Sequence, residues 1–153
     1  MVSVQSSIHS AISIVSAIAT GKGATLGISK KIDITIKELP GKGIVIESDG
    51  KTVSSRLINE VIKQIIPVNE LSKIKLKVSL NSEIPTGYGL KSSSAISSAV
   101  SLGCAKLFRP DMNETEILRI GVDASIKTKV SLTGAYDDAC ACYYGGFNVT
   151  DNY

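Results

Sequence analysis

The sequence predicts an α+β fold. Three observations point there: two runs of strict alternation with β-branched residues, two stretches of helical spacing closed by proline, and an irregular order of strands and helices with a hairpin signal early. From Lys31 the chain alternates Ile32, Ile34 and Ile36 with Asp33, Thr35 and Lys37, the pattern of a half-buried strand. Pro40-Gly41-Lys42-Gly43 is a turn, and Ile44 to Ser48 reads as a returning strand, so residues 28–48 are expected to form a hairpin. After a second turn at Asp49-Gly50-Lys51, apolar residues recur at Leu57, Ile58, Val61, Ile62, Ile65 and Ile66. That is helical spacing, capped by Ser54 or Ser55 and stopped by Pro67.

Lys73, Lys75 and Lys77 alternate with Ile74, Leu76, Val78 and Leu80. The lysines are expected to be the wet face of another strand. A glycine-containing stretch, 85–91, precedes a helix rich in Ala and Ser over Ser92–Phe108, which Pro110 ends. Asn113 and Glu116 have capping-box spacing before a helix over 114–126. A small-residue helix is expected from about Tyr136 to Tyr144, closed by Gly145-Gly146, with a last strand over Phe147–Thr150. Residues 2–20 stay ambiguous. Ile8, Ile12, Val15 and Ala19 fit one helical face, whereas Val2, Val4 and the run Ile12–Val15 permit a strand.

A length of 153 residues with 43% hydrophobic and 20% charged residues suits one globular domain. A net charge of +3 is too weak an excess to argue for nucleic acid. Cys104, Cys140 and Cys142 are an odd set, and Cys-Ala-Cys is not a zinc spacing. With one histidine, His9, the expectation is buried free thiols in a cytoplasmic protein, with no disulfide framework and no thiol metal site. No stretch is long and apolar enough to span a membrane, and Ile8–Ala19 lacks the leading basic residue of a signal peptide.

The run Ile84-Pro85-Thr86-Gly87-Tyr88-Gly89-Leu90-Lys91-Ser92-Ser93-Ser94-Ala95 carries the most chemistry. Two glycines allow a tight turn and close approach to a ligand, and the following helix start offers unpaired amides that suit phosphate. The serines can cap the helix, bind phosphate oxygens or ligate Mg²⁺, and Lys91 adds a cation. The spacing is not that of a Walker A loop. A glycine turn before a serine-capped helix is the purely structural alternative.

Pro85, Gly89-Leu90 and Ser92-Ser93-Ser94-Ala95 resemble the second motif of the GHMP kinases, and the Gly-Leu-Lys-Ser-Ser-Ser-Ala form resembles their archaeal shikimate kinase branch. Ala17-Ile18-Ala19-Thr20-Gly21-Lys22-Gly23-Ala24 is similar to that branch's first motif. Thr133-Gly134-Ala135-Tyr136-Asp137-Asp138-Ala139-Cys140-Ala141 is similar to a third block, so the resemblance spans 17–146. It implies a ribosomal protein S5 domain 2-like fold, with residues 1–153 forming the N-terminal ATP-binding domain of a GHMP kinase and residues 2–8 and 23–36 as strands. It also implies ATP- and Mg²⁺-dependent phosphorylation of the 3-hydroxyl of shikimate, a step in aromatic amino-acid synthesis.

On this resemblance, Pro85, Gly87, Tyr88, Gly89, Leu90, Lys91, Ser92, Ser93, Ser94 and Ala95 form the nucleotide loop. Ser93 and Asp123 are the expected Mg²⁺ ligands, and Lys22 and Thr133 the substrate contacts. Asp137 aligns with the base of several family members, with Asp138 as its alternative. Adjacent helical residues point about 100° apart, so only one of the two is expected to face the site. Without the resemblance, the pair reads as acids favoured at a helix N-terminus. Ser16 and Ile12 depart from the branch's first motif, where Asn and often Gly stand. Family members continue into a second half carrying a glycine-rich third motif, which nothing after Gly146 provides. The expected partners are therefore shikimate and either a separate C-terminal half or a second copy of the chain. The alternatives are a non-catalytic nucleotide-binding remnant and another GHMP kinase such as homoserine kinase.

Overall fold

In the computed structural model, which describes residues 1–152, one long strand organises the sheet. The chain runs β1 (Ser3–Val15), β2 (Lys22–Leu39), β3 (Gly43–Ser48), α1 (Ser55–Ile65), α2 (Val68–Leu71), β4 (Lys75–Ser82), α3 (Ser92–Phe108), α4 (Glu114–Lys127), α5 (Tyr136–Tyr144) and β5 (Phe147–Asp151). The expected α+β class holds. β2 pairs antiparallel with β1 along most of its length, with Ile8 opposite Ile32 and Val4 opposite Ile36. On its other side it pairs with β5 over Lys22–Leu26 and with β4 over Ile32–Leu39. Ile32, Ile34 and Ile36 point inward and are fully buried beside Val78 and Leu80 of β4. The helices cover this face and close a single main core against it.

The expected hairpin over 28–48 does not form. β4 lies between β2 and β3, and β3 pairs with β4 in parallel, Ile44 opposite Leu76 and Ile46 opposite Val78. Burial explains the order. Leu76, Val78 and Leu80 are all buried, as a central strand requires, whereas Ile44 and Ile46 of β3 are only half-buried at the edge. The turn at Pro40–Gly43 therefore joins strands that are not neighbours. The lysines of β4 sit on the wetter face, where Lys77 pairs with Glu47 of β3 at 2.9 Å.

Within residues 2–20 the strand runs Ser3–Val15, much longer than 2–8, and a turn follows. Its alternation was masked by two register shifts, at His9/Ser10 and Ser13/Val15, and by serines at inward positions. Ser6 donates to the carbonyl of Ala99 (2.8 Å) and Ser10 to that of Leu90, so both hydroxyls are satisfied against α3 and the loop before it. α1 follows its expected pattern: Ser54 accepts from the amide of Leu57, and Leu57, Ile58, Val61, Ile62 and Ile65 are buried. Pro67 ends α1 and at once begins the single turn α2, too short to show any periodicity. The capping box of α4 is present in both directions, at 3.0 and 2.9 Å. α5 has the expected limits, and Cys104, Cys140 and Cys142 are buried free thiols.

Ile36 contacts the core from the centre of the sheet, and its truncation leaves a cavity that surrounding strands cannot collapse. Ile36→Ala is expected to lose about 2–5 kcal/mol of stability, read as a lower urea midpoint at unchanged m-value.

Candidate active site

The site begins where β4 hands the chain to α3. Gly87 and Gly89 have φ of 85° and 72°, a region that favours glycine, and the space a side chain would occupy at each is open. Lys91 also takes a left-handed conformation (φ 58°, ψ 35°) and is the N-cap residue of α3. The serines were expected to cap this helix if the stretch were only a turn. No side chain does so, and the first bond of the helix runs from the amide of Ala95 to the carbonyl of Lys91. The amides of Ser92, Ser93 and Ser94 thus stand at the positive end of the helix without an intrahelical acceptor. A cleft of about 240 Å³ opens there, walled by Gly89, Lys91 and the three serines. Free amides, hydroxyls and an ammonium are the donor set that a polyphosphate requires, so the residues fit a nucleotide's phosphates.

The second part of the site comes from α5. Ala135 turns the chain through a left-handed conformation (φ 52°, ψ 58°) and delivers Asp137 and Asp138 in the first turn, 3% and 7% exposed. Thr25, buried on β2, reaches both: its Oγ1 lies 2.7 Å from Asp137 Oδ2 and 3.0 Å from Asp138 Oδ1. A hydroxyl carries one proton, so it donates to one carboxylate at a time. Asn152 donates to the other oxygen of Asp137 at 2.9 Å, and Lys91 pairs with Asp138 Oδ2 at 3.2 Å. Gly23, beside Thr25, packs directly on Asp137, and a Cβ there would collide with the carboxylate.

Both acids line a cleft of about 300 Å³, together with Ser13, Lys91 and Thr133. The expectation that only one would face the site is corrected: Thr25 lies between their two directions and draws both carboxylates to one place. Lys91, Ser131 and Asp138 belong to the walls of both clefts, so the two adjoin. Burial pushes Asp138 above the usual carboxylate range, outweighing the opposing pull of the Lys91 charge, and the Asp137 charge pushes it further. Burial also pushes the Cys104 thiol up to about 12 and raises that of Cys142, which keeps these sulfurs protonated and inert.

The structure brings together Gly89, Leu90, Lys91, Ser92, Ser93, Ser94, Thr133 and Asp137 of the residues singled out from sequence. Ala95 faces the core instead, and Tyr88 is 78% exposed. Pro85, Gly87, Tyr88, Lys22 and Asp123 line neither cleft, and Asp123 is exposed on α4. Thr25, Ser13 and Asn152 were missed. Thr25 and Ser13 are lone hydroxyls far in sequence from the acids and Asn152 a lone amide 15 residues from Asp137, and the pairing of β2 with β1 and β5 collects them.

Comparison with known proteins places this architecture in a class. The family model for the GHMP kinases N terminal domain matches residues 56–146. The mevalonate kinase of Methanococcus jannaschii has the same fold, with a TM-score of 0.79 at 18% identity, over 99% of this chain and 54% of that one. Homoserine kinase from Cytophaga hutchinsonii superposes with a TM-score of 0.77 at 17% identity, over 97% of this chain and 51% of that one. The chain belongs to the GHMP kinase family and carries its N-terminal domain. Within that family it is similar to the shikimate kinases of Pyrococcus abyssi (38% identical) and Pyrococcus furiosus (40%), in each case over 94% of this chain and 53% of the relative. The chain therefore spans about half the length of these relatives.

The position of Asp138 has a consequence for stability. Its folded pKa lies above its unfolded one, so the folded state binds its proton more readily, and the charged form weighs against folding. That cost is absent below the ordinary carboxylate pKa of about 4 and is felt in full above the raised folded value. In urea denaturation at pH 7, Asp138→Asn is expected to be more stable than the parent. The advantage should shrink to nothing as pH falls below about 4, because both proteins are then uncharged at this position.

Proposed function

We propose that this chain supplies the nucleotide loop and the acidic residues for ATP-dependent phosphorylation of the shikimate 3-hydroxyl, acting with the half of the fold that its relatives carry beyond the matched region. The single observation that carries the reading is the contact of Lys91 with Asp138 at 3.2 Å, which joins the uncapped start of α3 to the acidic cleft. The similarity to archaeal shikimate kinases supports the choice of acceptor. When bound, MgATP supplies the phosphoryl group and a divalent cation that neutralises its charge.

The chain's own residues do the rest. The amides of Ser92–Ser94 donate to phosphate oxygens, and the ammonium of Lys91 balances their charge. The Ser93 hydroxyl is an oxygen donor suited to Mg²⁺. Among the described residues no group of three or more acidic, histidine or cysteine side chains could hold a metal ion alone, so phosphate oxygens would complete the coordination. Asp137 receives the acceptor's proton, its carboxylate oriented by Thr25 and Asn152. Thr133 offers a hydroxyl to the acceptor from the wall of the same cleft. Lys22, exposed at the start of β2 and outside both clefts, is the proposed cation for the shikimate carboxylate on its motif alone. Asp123, exposed on α4 and outside both clefts, is the proposed second ligand to Mg²⁺ on its place in the sequence alone.

ADP formation measured with shikimate, homoserine and mevalonate, with and without a C-terminal GHMP half supplied in trans, tests the reading. Shikimate-dependent turnover is expected only when both halves are present. Asp137→Asn should lower kcat by about 10²–10⁴-fold. Stimulation by homoserine alone would overturn the choice of substrate.

A further inference from the structure

Lys91 stands between two anion sites. Its side chain is 22% exposed and that of its partner Asp138 9%, so the pair is shielded from bulk water and the contact is stronger than a surface ion pair. The same lysine lines the serine-walled cleft at the start of α3 and the cleft of the two acids. Its left-handed backbone at the N-cap fixes its Cα beside the free amides of the helix, which leaves the long side chain as the variable part. Asp138 has hydroxyl donors as well, Thr25 at 3.0 Å and Ser13 at 3.4 Å, so it keeps hydrogen bonds when the ammonium swings away. Phosphate oxygens bound at Ser92–Ser94 would compete with Asp138 for that one cation.

We propose that Lys91 is shared between Asp138 and the nucleotide phosphates, so that phosphate binding draws the ammonium off Asp138 and frees that carboxylate in the acidic cleft. This rests on the nucleotide-binding reading given above. It makes the order of events a property of the fold: the Asp138 carboxylate is released from Lys91 once the phosphates are in place. The coupling is reciprocal, so anything that removes the claim of Asp138 on Lys91 must tighten nucleotide binding.

MgADP affinity measured by calorimetry on the full chain, with Asp138→Asn, Lys91→Gly and the double variant, tests this. Glycine suits the left-handed backbone at this position. Asp138→Asn is expected to bind MgADP roughly fivefold or more tightly than the parent, and Lys91→Gly to bind it more weakly. In the Lys91→Gly background, Asp138→Asn should change affinity little. Equal tightening in both backgrounds means simple repulsion between Asp138 and phosphate, and overturns the proposal while leaving the kinase reading intact. In the unsubstituted chain, the Lys91 ε-methylene NMR signal should shift on addition of MgADP; a signal unmoved at saturation overturns the proposal even if a variant fails to fold. No binding of MgADP by the parent removes the kinase reading and this inference together.

Discussion

The arrangement depends on one hydroxyl. Thr25 projects from the centre of the sheet into a space where two carboxylates from α5 converge, and it is the only group that touches both among the hydrogen bonds of the described residues. Two buried acids side by side repel each other and lose their hydration, which is costly unless donors replace the water. Thr25, Asn152, Ser13 and Lys91 are those donors, and they come from β2, the end of the chain, β1 and the start of α3. Satisfying the acids therefore fixes four separate segments relative to one another. The absence of a side chain at Gly23 is part of the same constraint, because it lets Asp137 lie flat on β2.

This polar cluster sits at one end of a fold whose other end is conventional. Around Ile32, Ile34 and Ile36 the sheet and helices bury a continuous aliphatic core, and stability resides there. Near the site the packing turns to small residues and hydroxyls: Ser10 on β1, the serines at the start of α3, Ala139 and Ala141 on α5. Small side chains let backbones approach closely and bring helix starts to the cleft, at the expense of apolar burial. The acidic cleft has the signature of a functional site, with two adjacent buried carboxylates and burial pushing Asp138 above the usual carboxylate range.

Relatives with this fold act on different acceptors, and they share the fold at identities too low to transmit a substrate. In this chain a lysine stands at the left-handed N-cap of α3 and a threonine between the two acids. Phe147 and Val149 on β5 leave apolar side chains exposed, at 60% and 69%. The uncapped start of α3 and the two acids of α5 meet through Lys91.

The sequence by itself determined much of this. Periodicity located α1, α4, β4 and the apolar half of β2, because those segments bury one face and their residues repeat accordingly; α3 and α5, buried through consecutive residues, were legible from their small residues and their Pro and Gly ends. Capping chemistry located Ser54 and Asn113, and the three ordered motifs were enough to find the loop and the acid pair. Tertiary structure decided the rest. β1 was hidden because its inward positions hold serines, whose burial is worthwhile only when the carbonyls of Ala99 and Leu90 stand opposite. The insertion of β4 between β2 and β3 was invisible because a turn specifies a reversal, not a neighbour. That both acids face one cleft followed from Thr25, 112 residues away from Asp137, and no local pattern encodes a contact at that separation.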